Sequence, residues 1–83
     1  MMIKVKVDMI CTLNNKSFQM EGDIEKVVAN TYLEGEQTPA SAEDMYPRFF
    51  GSFVALANQP QNRHWYAYVS TENVKCTGFT VLQ

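Results

Sequence analysis

The sequence predicts an α+β fold: a four-stranded antiparallel sheet, in the order strand-strand-helix-helix-strand-strand, with two helices packed on one face. Three observations lead there. Apolar and polar residues alternate over 3–13, 18–21 and 64–76. Apolar residues recur every three to four positions over 23–34 and 45–58. Helices grouped between two hairpins favour an antiparallel sheet covered on one side.

In the first element Ile3, Val5, Val7, Met9, Cys11 and Leu13 share one face, with Lys4, Lys6, Asp8, Ile10 and Thr12 on the other. That is a half-buried strand with one wet face. Asn14-Asn15-Lys16 follows as a turn, since Asn tolerates positive φ. Phe18 and Met20 must then lie on the face of Cys11 and Met9. A loop of Asn14-Asn15 does this, pairing Cys11 with Phe18, and so does one two residues longer. A slip by one residue would turn every apolar side chain to water.

Gly22 interrupts the alternation, and Asp23 is suited to cap a helix. Ile24, Val27, Val28, Thr31 and Tyr32 then fall at helical spacing, so a helix is expected over 23–34, stopped at Gly35. A turn near 40–45 precedes a second helix over about 45–58, because Pro47 is harmless only in a first turn. Its apolar face is Tyr46, Phe49, Phe50, Phe53, Val54 and Ala57, with Leu56 at the margin. Gln59-Pro60 ends it. His64 to Ser70 alternates again, with Trp65, Ala67 and Val69 inward against His64, Tyr66 and Tyr68, and reads as a third strand. Val74 and Cys76 open the fourth. A bulge at Gly78 is needed to bring Phe79 and Val81 to their face.

The chain's 83 residues form one domain, 1–83. An apolar fraction of 46% with 19% charged residues is ordinary globular composition, which argues against disorder. No apolar run approaches a membrane span and no secretory leader is legible, so a cytoplasmic location with reduced thiols is expected. The candidates for chemistry are few. His64 is the single histidine. A nucleophile would have to stand beside it, and both cysteines point inward. No paired Cys or His motif supports a metal, and no glycine-rich phosphate loop is present. The expectation is therefore a non-enzyme without cofactor or metal.

Charge is unevenly spread. Residues 21–44 hold Glu21, Asp23, Glu25, Glu34, Glu36, Glu43 and Asp44 against Lys26 alone, a local balance of −6, and the rest carries +4. Such a segment suits a basic protein partner and speeds association with it. The second candidate surface is the outer sheet face, where Lys4, Lys6, His64, Tyr66, Tyr68 and Lys75 are expected together. Basic residues among flat rings could bind single-stranded nucleic acid. An exposed aromatic face could instead be buried by a second copy in a homodimer. The leading expectation is a small protein-binding module, of the kind phages and mobile elements use as inhibitors. It would occlude a nucleic-acid-handling partner by setting carboxylates where phosphates would lie. The alternative is a nucleic-acid-binding sheet built on the tyrosines and lysines.

Overall fold

β1 (Met2–Cys11) runs down the centre of a three-stranded antiparallel sheet, with β2 (Lys16–Glu25) on one side and β3 (Val74–Val81) on the other. The computed structural model describes residues 1–34, 49–70 and 73–82, with residues 32–34 described by backbone alone. Among these residues the remaining elements are α1 (Lys26–Glu34), α2 (Phe50–Ala57), a 3-10 segment (Pro60–Trp65) and a single helical turn, α3 (Tyr66–Val69).

The β1–β2 hairpin takes the longer of the two expected loops, pairing Cys11 with Lys16 and Met9 with Phe18. Asn15 has a φ of 56°, and the Asn14 side chain accepts the Lys16 N–H at 3.0 Å. Both are turn roles to which asparagine is suited. Leu13 thereby falls in the loop, 72% exposed, instead of on the core face. Val5, Val7, Met9, Phe18, Met20 and Ile24 meet Phe53, Leu56, Ala57 and Val69 in the core. Leu56, expected at the margin of its helix, is fully buried.

The alternation of β2 continues through Gly22 to Glu25, with Gly22 and Ile24 buried and Asp23 and Glu25 exposed. The expected helix over 23–34 is corrected accordingly: it starts at Lys26, and Asp23 is a strand residue rather than a cap. Gly22 lies in the strand because the chain passes close there. A Cβ on it would stand 2.7 Å from Leu56 Cδ1 and against the Gln59 amide. The later start also turns the helix: Ala29 is buried, whereas Val27, expected inward, is 70% exposed.

The expected four-stranded sheet is overturned at residues 64–70, which form the end of the 3-10 segment and α3, not a strand. Short apolar runs fit both periods. Here Trp65, Tyr68 and Val69, at helical spacing, turn toward the core, while Ala67 is exposed. Pro60 acts at the start of this segment rather than only as the end of α2. Its fixed φ suits a first helical position, and it holds Gln59 extended, at φ −68° and ψ 143°. The α+β class stands, with three strands instead of four.

The expected bulge is present in β3. Asp8 pairs with Gly78 and Met9 with Cys76, leaving Thr77 as the extra residue. It brings Phe79 and Val81 to the core side with Val74 and Cys76. The expected turn near 40–45 and the start of the second helix lie outside the described residues.

Candidate functional site: the open sheet face and an aromatic corner

The even residues of β1 and the odd residues of β2 form the sheet face turned away from the core. Lys4 lies directly across from Asp23 and Lys6 from Glu21. Glu21, Asp23 and Glu25 are all exposed and stand in one column along β2. Successive carboxylates are two residues apart, about 6.8 Å along the strand. Lys4 and Lys6 form a parallel column on β1, and Lys75, across from Ile10, extends the face onto β3. Among the described residues the ion pair on this face is the Met1 ammonium with Glu25 Oε2 at 3.5 Å, while Lys4 and Lys6 are cross-strand neighbours of their carboxylates without a direct ion pair. Three residues of the expected acidic segment and the lysines of the expected basic face therefore meet on one surface as adjoining stripes.

Glu34 ends α1, and no placement of its side chain is described; Glu36, Glu43 and Asp44 lie outside the described residues. His64, Tyr66 and Tyr68 are not on the open face, which corrects the expectation that they join Lys4, Lys6 and Lys75. They belong to the helical segment on the core side of the sheet, since Trp65 stacks on Phe18 with centroids 5.0 Å apart. The expected nucleic-acid surface needed lysines and tyrosines side by side, and the sheet now stands between them. The expected homodimer contact loses the same aromatic face.

A second constellation forms at the hairpin end. Phe18, Trp65 and Tyr68 pack together, with Trp65 and Tyr68 edge to face at 5.7 Å. Lys16 Nζ lies 5.4 Å from the Trp65 ring centre and 5.6 Å from that of Tyr68. The His64 ring flanks Trp65 at 4.6 Å. Lys16 was not among the residues singled out from the sequence, yet it shares the parity of Phe18 and Met20. That parity carries its side chain to the core side, toward α3. The helical spacing of Trp65 and Tyr68 was the other available signal.

The free edge of β2 is covered by side-chain amides at Glu21 and Asp23. Gln59 accepts the Asp23 N–H at 3.4 Å and donates to the Asp23 carbonyl at 2.9 Å. Gln61 and the buried Asn62 both donate to the Glu21 carbonyl, at 3.1 and 3.0 Å, and Asn62 also donates to Leu56 O at 2.9 Å. These contacts fix the strand that carries the acidic column.

Neither thiol is placed for chemistry. Cys11 and Cys76 are free and buried. Burial, assisted by the nearby Asp8 charge, pushes the Cys76 thiol up to about 12. A neutral thiol is a poor nucleophile and a poor metal ligand. No helix among the described residues is long and apolar enough to cross a membrane. No protein-family model, curated protein or solved structure matches the chain.

Proposed function

We propose that the protein is a small protein-binding module that docks through the open face of its sheet onto a basic region of a larger partner. The observation that carries this reading is the exposed column of Glu21, Asp23 and Glu25, the last also 3.5 Å from the Met1 ammonium, on a strand paired with β1 along one edge and tied at Glu21 and Asp23 along the other. A rigid strand presents its carboxylates without the ordering cost of a loop. A nucleic-acid-handling protein is the partner class that fits, because its surface is basic where it grips phosphates. Carboxylates at regular spacing along a strand would compete for that surface. The adjoining Lys4 and Lys6 stripe sets the register of docking, since a partner must match both signs.

The test removes charge without creating repulsion. Reversal to lysine would place like charges opposite Lys4 and Lys6, so Glu21→Gln, Asp23→Asn and Glu25→Gln are combined. Partners captured by the parent and identified by mass spectrometry are then re-measured with the variant at low and high salt. We expect association with the parent to slow as salt rises, and the variant to bind at least tenfold more weakly at low salt, a loss of about 1.4 kcal/mol. Equal binding by parent and variant would remove the acidic column from the interface. Salt-sensitive binding of single-stranded oligonucleotides by the parent would replace the reading with a nucleic-acid-binding one.

A further inference from the structure

We propose that the corner between Trp65 and Tyr68 is a binding site for a trimethylammonium group, and that Lys16 fills it when no ligand is bound. This inference does not rest on the acidic column.

The corner has the geometry of an aromatic cage. Its two walls stand at 64° to one another. A cation already sits within 6 Å of both ring centres, the range in which a ring face attracts it. Phe18 backs both walls, stacked on Trp65 and 5.7 Å from Tyr68, and so holds the angle between them. Lys16 and the two walls are reachable from water, Lys16 being exposed and both rings only partly buried. A shallow, largely apolar notch lined by Cys11, Leu13, Asn14, Ala67 and Tyr68 opens beside the corner and can receive methyl or methylene groups.

The choice of trimethylammonium follows from how the two cations are hydrated. A lysine ammonium is compact and strongly hydrated, with three N–H donors that rings satisfy poorly. A trimethylammonium has no N–H to strip of water and spreads its charge over methyl groups that touch the ring faces. It is the ligand class for which aromatic cages are used. Lys16 is a tethered competitor, because its backbone is fixed at the strand end by pairing with Cys11 and by the Asn14 turn. Only the fraction of molecules with Lys16 swung out can bind, which weakens the apparent affinity by that fraction. The group could come from a trimethylated lysine of another protein or from a free choline-like molecule.

Trp65 is the single tryptophan, so its fluorescence reports on the corner directly. The probes are tetramethylammonium, choline, a trimethyllysine peptide, its unmodified counterpart and 3,3-dimethylbutanol, the neutral analogue of choline. We expect saturable change with the three quaternary cations and none with the neutral alcohol. Lys16→Ala, at an exposed position, should bind several-fold more tightly, and Tyr68→Leu should lose binding while Trp65 still reports. Near-ultraviolet dichroism checks that both variants keep the fold. A peptide that binds more tightly than tetramethylammonium identifies a modified protein as ligand, and equal affinity identifies the free molecule; either upholds the site. Equal response to the neutral alcohol, or no saturable change in the parent and in Lys16→Ala, overturns it. Response to a single-stranded oligonucleotide but to none of the quaternary cations also overturns it, making the corner a base-stacking surface.

Discussion

Asn62 is the buried polar side chain of the described core, 3% exposed, and its amide spans two elements by donating to Glu21 O on β2 and Leu56 O on α2. Replacing it with Ala removes both N–H donors, although Leu56 O keeps the Gln59 N–H at 3.1 Å and Glu21 O keeps Gln61. We expect Asn62→Ala to cost about 1–3 kcal/mol, the loss of two hydrogen bonds at about 0.5–1.5 kcal/mol each, measured by urea unfolding. Cys76 makes a different kind of statement. Its thiol is held near 12 against an ordinary value of 9.0, so the folded state keeps the proton that the unfolded state loses first. Stability is unaffected below about pH 9 and falls as pH rises from there toward 12, by up to about 1.4 kcal/mol per pH unit for one group. We expect the alkaline loss to be shallower in Cys76→Ala. Thiol reagents at pH 8 should leave Cys76 unlabelled until the protein is unfolded.

At the scale of elements, Gly22 shows how closely α2 and the chain after it approach β2. A methyl group there would meet Leu56 and Gln59. We expect Gly22→Ala to destabilise by about 1–3 kcal/mol through overpacking, read as a lower urea midpoint with an unchanged slope. The same glycine explains one misreading. A missing side chain looks like a break in alternation, although the backbone keeps its parity through Gly22 to Ile24. β1 was legible because eleven residues of strict period two admit one interpretation. The bulge was legible for the same reason, since it keeps Cys76 and Phe79 on one side, whereas parity narrowed the hairpin to two registers and left the choice between them open. The segment 64–70 was not, because Trp65, Ala67 and Val69 satisfy period two while Trp65, Tyr68 and Val69 satisfy the helical period. Nothing local decides between them. Packing on Phe18 does, and that contact is 47 residues distant in sequence. The acidic residues of the site were legible individually. Their pairing with Lys4 and Lys6 was not, because it required β2 to run on to Glu25.

Taken whole, the molecule has two dissimilar sides. One is a charged, striped sheet face, and the other carries the helices and an aromatic corner. A chain this size is stable by roughly 4–12 kcal/mol, so each substitution above draws on a substantial fraction of the total. The division keeps the two proposed sites independent, and the charge-neutralised triple variant should retain the Trp65 response to tetramethylammonium unchanged. The amides along β2 also bear on assembly. A sheet edge normally invites another chain to add a strand, the route to fibrils and to swapped pairs. Gln59, Gln61 and Asn62 occupy the hydrogen-bonding positions an incoming strand would use there, without contributing a strand of their own. Growth of the sheet is thereby hindered along Glu21–Asp23, so a copy adding over that stretch would first have to peel away the segment that follows α2. Resistance to fibril formation from that edge thus depends on three amide side chains within four residues, a dependence that seeding experiments on their alanine variants would expose.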